Sequence, residues 1–165
     1  MLTRQHARGD SLVEALVALV LLSLGLLALA GAQTQALGTA LEARQRAVAM
    51  SLAAELAERM LDHPAALRQG GYQLAPVATL PFGDAGLRCR PGDCPPDARV
   101  ADDLTQWRIE VGRRLPAAEV AVVIDPVSMH HTLWIGWSNR LDASASECLP
   151  ALPTRARCVR LQVLP

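Results

Sequence analysis

The sequence contains no lysine: all 16 of its Lys+Arg positions are arginine, and 16 Asp+Glu bring the formal net charge to +0. The missing lysine excludes a Schiff-base enzyme and a lysine-dependent phosphate loop. The charge balance disfavours both a strongly basic nucleic-acid binder and an acidic disordered tail. Aromatic residues are scarce as well, at 3% against 51% apolar residues overall, so the apolar mass is mostly Ala, Leu and Val. That composition suits long helices and membrane spans rather than an aromatic-filled β core. There is no glycine-rich nucleotide loop, no run of acidic metal ligands and no internal repeat. At 165 residues the chain has room for one ordinary domain and not for two full-sized ones.

What is present begins near the N-terminus. From Ala15 to Ala32 the chain is apolar at every position except Ser23. At a rise of about 1.5 Å per residue this run spans most of a ~30 Å hydrocarbon layer. Arg4, His6 and Arg8 precede it and no arginine follows until Arg44, which puts the N-terminus in the cytoplasm and the remainder outside it. The helical pattern continues beyond the apolar run through Gln33, Leu37, Leu41, Val48, Leu52, Leu56 and Met60. Glu42 with Arg46 and Glu55 with Arg59 add i,i+4 pairs in the favourable order. His63-Pro64 ends the pattern, because proline restricts its predecessor and cannot extend the hydrogen-bond ladder. One helix from Asp10 to Asp62 would be about 80 Å long. A compact domain of this size needs no such helix, so lipid or neighbouring chains must serve one half of it.

Three readings of the N-terminus compete. In a secretory signal peptide, Ala28-Leu29-Ala30 would form the cleavage site before Gly31 and release a secreted, disulfide-bonded binding domain. Glu14 argues against this, since an isolated carboxylate at the entrance to a hydrocarbon segment costs roughly 2 to 3 kcal/mol and a signal peptide gains nothing from it. Gly9-Asp10-Ser11-Leu12 resembles the opening block of the GDSL hydrolases, whose serine is a nucleophile. The polar stretch before it is not a hydrophobic strand, and Asp125 and His130 lack the spacing of that family's Asp-x-x-His block.

The third reading uses every feature together. Basic residues, then Gly9, then a glutamate at the fifth position after it, then a long apolar helix, make Arg8 to Leu19 resemble the class III leader of type IV prepilins. The resemblance implies that residues 1–9 are a leader removed by a prepilin peptidase on the cytoplasmic side. The new N-terminus at Asp10 is then methylated, and Glu14 pairs with the terminal ammonium of a neighbouring subunit as helices stack into a filament. Each of those charges is costly alone in hydrocarbon, and their attraction offsets desolvation only when they meet, which favours ordered docking. The family usually has phenylalanine where this chain has Asp10, a departure that points to a minor, specialised subunit. Ser11 to Val20, the continuation Ser23 to Gln33 and the ending Cys158-Val159-x-Leu161 most resemble the pilus modification (PilV-type) minor pilins. A minor pseudopilin of type II secretion shares the leader and helix and is the alternative.

Past the helix the texture changes. Residues 64–103 are rich in Pro, Gly and Asp and read as a connector loop. Alternation predicts strands at Leu104–Val111, Glu119–Ile124, His131–Trp137 and Arg157–Leu164, which places an antiparallel sheet in 104–165. The expected fold is α+β and pilin-like: one long N-terminal helix packed on a four-stranded antiparallel sheet. Residues 10–33 form its membrane or filament-core half, and residues 34–62 form its amphipathic half.

Cys89, Cys94, Cys148 and Cys158 all follow the span and suggest two disulfides in an oxidising periplasm. Three connectivities are open. Local pairing, Cys89 with Cys94 and Cys148 with Cys158, is preferred because each pair brackets a turn-rich stretch, and the second pair resembles the C-terminal disulfide-bounded loop of pilins. A zinc site is disfavoured, since there is no C-x2-C knuckle and the adjacent His130 and His131 point to opposite faces of a strand, at the surface or an edge. Trp107, Trp134 and Trp137 are candidate core anchors. Trp134 and Trp137 fall on opposite faces, so an outward ring is either covered by the connector or part of a partner-binding patch. Arg88, Arg90, Arg99, Arg113 and Arg114 point only weakly to DNA phosphates.

The expectation is a non-catalytic assembly subunit with no metal or cofactor. Its partners would be the prepilin peptidase, other minor and major pilins and the inner-membrane assembly machinery. It would cross the inner membrane once, with its C-terminal domain in the periplasm, and enter the pilus on assembly.

Overall fold

A single helix, α1 (Asp10–Asp62), joins two units that divide the chain at Met1–Ala43 and Arg44–Pro165. The computed structural model describes residues 10–80, 89, 94–138, 148 and 157–164, so Gly9 and the rest of the leader lie outside the described residues. In the first unit every side chain from Leu12 to Leu41 is exposed. This half of α1 is long and apolar enough to cross a membrane. Its few hydroxyls are satisfied within the helix: Ser23 Oγ donates to the Leu19 carbonyl at 2.7 Å, Thr34 Oγ1 to Gly31 at 2.8 Å and Thr39 Oγ1 to Ala36 at 2.9 Å. A hydroxyl that bonds back to its own helix carries no unmet donor into lipid.

In the second unit the same helix turns amphipathic. Ala49, Leu52, Ala53, Leu56, Ala57 and Met60 recur at helical spacing and are buried. The alanines allow a close approach while the leucines and Met60 fill the core, each large side chain contributing roughly 1.5 to 3 kcal/mol by leaving water. α1 ends at Asp62, and Pro64, which cannot donate to its ladder, opens the short helix α2 (Pro64–Arg68). The chain then reverses at Gly70, whose φ of +74° is a left-handed conformation that a side chain disfavours.

Four strands follow the order β1 (Leu74–Ala78), β2 (Glu119–Ile124), β3 (His131–Trp137), β4 (Arg157–Val163), and every neighbouring pair is antiparallel. Val120 and Val122 of β2, Leu133, Ile135 and Trp137 of β3 and Val159 and Val163 of β4 join the α1 stripe in one core. The architecture is therefore the expected pilin-like α+β layout, with the Arg44–Asp62 part of α1 and the sheet sharing that core.

Two expectations are corrected. Leu104–Val111 is not a strand but the middle of α3 (Pro96–Arg114). Trp107, Ile109 and Val111 do alternate, yet Val100, Trp107 and Val111, with the partly buried Leu104, also fall at helical spacing, and that stripe packs on the core. The helix signals are local. Pro96 sits in the first turn with Asp97, Arg113 and Arg114 close the last turn, and Glu110 pairs with both arginines. The fourth strand is instead β1, within the span 64–103 that reads as connector, so that span also holds α2 and the start of α3. Pro76 disguises β1, since proline is tolerated at a sheet edge, where its missing N–H is not needed. The register slips between Leu74 and Val77, as a bulge beside that proline.

Candidate functional site

Glu14 stands in the second turn of α1 with its side chain exposed, and among the described residues it has no ion-pair partner. Leu12, Val13, Leu16 and Val17 surround it on the helix, each about half exposed or more. From Leu12 to Leu41 the helix thus carries one carboxylate on a largely apolar surface. Its chemistry is that of an unpaired carboxylate in need of a cation.

The four cysteines lie in the second unit as two bonded pairs, Cys89–Cys94 and Cys148–Cys158, with Cα separations of 5.6 and 5.7 Å. The first pair precedes α3 and is fastened to it, since the Cys89 N–H donates to Asp102 Oδ2 at 3.1 Å. The second pair ties Cys148 to β4 through Cys158.

Other sequence candidates are distributed through the fold. His131 corrects the surface placement given above: it is fully buried at the start of β3, an inner strand, and both ring nitrogens lack a hydrogen-bond partner. Burial pushes its pKa below the ordinary 6.5, with the Met129 backbone working weakly the other way. His130 is half-buried in the β2–β3 turn, and the described residues contain no group of three His, Cys, Asp or Glu able to hold a metal. Asp125 spends its carboxylate on that turn. Its Oδ1 accepts from the Val127 N–H at 2.8 Å and the Ser128 N–H at 2.9 Å, which together hold it below the usual aspartate pKa. It is a turn-former rather than part of a hydrolase relay.

Trp107 and Trp137 are buried anchors, and Trp107 Nε1 donates to the Leu52 carbonyl at 2.8 Å, fixing α3 to α1. Trp134 lies half-buried on the other face of β3, between Ala121 and Arg160 in register. With Arg46, Met50, Cys158, Val159 and Arg160 it lines a cleft of about 610 Å³ between α1 and β4. Arg88 and Arg90 lie outside the described residues, Arg113 and Arg114 are engaged by Glu110, and Arg99 is half-buried on α3. These arginines do not form an open phosphate-binding patch among the described residues.

Sequence reasoning missed a polar cluster where α1 meets α3. Tyr72 is fully buried and its hydroxyl donates to Asp103 Oδ2 at 3.0 Å, with the Arg59 carbonyl at 3.4 Å. His63 Nε2 approaches the same Asp103 oxygen at 3.8 Å, while Arg59 pairs with Glu55. Burial, reinforced by the Asp103 charge, pushes the Tyr72 hydroxyl above its ordinary range, so it remains a donor. The cluster is a clasp between the end of α1, the turn after α2 and α3. A lone tyrosine in a proline- and glycine-rich stretch was its only visible sign in the sequence.

Compared with known families, curated proteins and solved structures, the chain matches no family model, no curated protein and no solved structure. Its class therefore rests on the architecture itself, a pilin-like α+β fold headed by one helix of membrane-spanning length.

Proposed function

We propose that the protein is a minor pilin-like structural subunit of a type IV pilus, anchored in the inner membrane before assembly and then incorporated into the filament or priming it. The observation that carries this reading is one helix with two characters. Its first half, exposed from Leu12 to Leu41, holds a single carboxylate at Glu14, and its second half supplies the core stripe Ala49 to Met60. Glu14 falls five positions after Gly9, the spacing that the prepilin resemblance requires. Two disulfides on the far side of the span fit an extracytoplasmic domain. The role is non-catalytic. The apolar half holds the subunit in lipid, Glu14 aligns it with a neighbour's N-terminal ammonium, and the disulfide-braced sheet faces sibling subunits.

The test is the mature N-terminus, read by mass spectrometry of the protein made in a strain with a prepilin peptidase and in one without. A methylated Asp10 start that depends on the peptidase is the expected result. A start at Gly31 would overturn the proposal in favour of a secreted domain. Gene deletion scored for piliation and twitching against exoprotein release separates the pilus reading from the pseudopilin one.

A further inference from the structure

Five of the described acids in the second unit are committed within the chain. Glu55 pairs with Arg59, Glu110 with Arg113 and Arg114, Asp103 with Tyr72 and His63, and Asp102 and Asp125 accept backbone N–H groups. Glu58, Asp62, Asp97 and Glu119 are not so engaged, and of these Glu58 and Asp62 share one turn of α1. Both are exposed, they are neighbours at i,i+4, and among the described residues neither joins an ion pair. Like charges at that spacing repel, and Asp62 adds negative charge at the C-terminal end of α1, where the helix dipole already disfavours it. Leu61, 55% exposed, adjoins them on the same turn. The basic residue in this last turn, Arg59, is already engaged by Glu55.

The complementary feature lies on the same unit. The cleft of about 610 Å³ between α1 and β4 carries two exposed arginines, Arg46 and Arg160, and an apolar lining from Met50, Val159 and the half-buried Trp134. Its size is that of a pocket able to take several side chains. Neither arginine joins an ion pair among the described residues.

We infer that the end of α1 in one copy docks into the α1–β4 cleft of a second copy, Glu58 and Asp62 meeting Arg46 and Arg160 while Leu61 seats against Met50 and Trp134. The proposal deepens the filament reading and rests on it. Charge complementarity and the exposed leucine select a second copy of this chain as the occupant. The two surfaces are different, so the contact is head-to-tail, the type that builds an open filament when the rotation between copies does not close a ring. Met50 and Leu61 lie about 17 Å apart along α1 at 1.5 Å per residue, which sets the stagger between copies that run parallel.

Site-directed cross-linking in membranes tests it with the full-length chain. The native cysteines are all disulfide-bonded, so introduced thiols report alone. Two differently tagged copies, one Met50→Cys and one Leu61→Cys, are co-expressed and treated with a short bismaleimide. The expected product is the mixed-position dimer, in at least fivefold excess over either same-position dimer. Glu58→Arg with Asp62→Arg in the Leu61→Cys copy should abolish it, and Arg46→Glu with Arg160→Glu in the other copy should restore it. Same-position dimers alone, no dimer, or a yield indifferent to charge reversal would overturn the contact. The mature N-terminus measured on the same sample separates the outcomes: the dimer decides the contact, and an Asp10 or Gly31 start decides the filament reading.

Discussion

His131 is the residue whose environment most contradicts its chemistry, since an imidazole that ordinarily titrates at 6.5 is buried with both nitrogens unpartnered. The unfolded chain takes up this proton near 6.5, whereas the folded protein does so only at lower pH. The resulting stability is complete above the ordinary value and is lost as pH falls through the depressed folded one. Asp125 acts in the same direction in a separate window, below the ordinary aspartate value of 3.8. The urea midpoint of the wild-type protein should therefore drop between about pH 7.5 and about pH 5, and His131→Leu should flatten that slope. An unchanged slope in the variant would remove His131 from the account. The sequence set His130 and His131 on opposite faces of a strand, but β3 begins only at His131 and His130 lies in the turn before it. Alternation could not reveal that His131 is buried, because burial depends on what packs above a strand and not on the strand itself.

At the scale of elements, α3 is the instructive case. Its apolar residues satisfy both a period of two and a period near 3.6, and only packing chooses between them. The helix runs past the segment after β1 at Gly112, where an added Cβ would lie 2.9 Å from the Leu80 carbonyl oxygen and 2.9 Å from Thr79 Oγ1. In an exposed helix Gly→Ala gains about 1 kcal/mol of propensity. Here a backbone oxygen must move, and overpacking of this kind costs about 1 to 3 kcal/mol. Gly112→Ala should therefore destabilise by up to about 2 kcal/mol in chemical denaturation. Gly38→Ala, at a position with nothing within 4 Å, should not. A stabilising Gly112→Ala would show that α3 and the Thr79–Leu80 segment can part without loss. β1 teaches the same lesson from the other side: Pro76 reads as a loop residue until the sheet places it on an edge.

For the molecule as a whole, the division into a bare apolar half-helix and a packed second unit means that anchoring and folding draw on different residues. Glu14→Val should leave the protein in the membrane fraction, since it removes only a charge from an apolar surface, yet lower its recovery in sheared filaments. Normal recovery would deny Glu14 an assembly role. The sequence by itself determined the long helix, its end at His63-Pro64 and the three strands β2 to β4. These are set by local periodicity and proline chemistry, which act along the chain. Only the tertiary structure decided that Leu104–Val111 is helical, that Leu74–Ala78 completes the sheet, that Tyr72 and Asp103 clasp α1 to α3, and that Arg46 and Arg160 share a cleft. Each of these depends on which distant surfaces meet, and hydrophobic burial is blind to sequence order until the chain has folded.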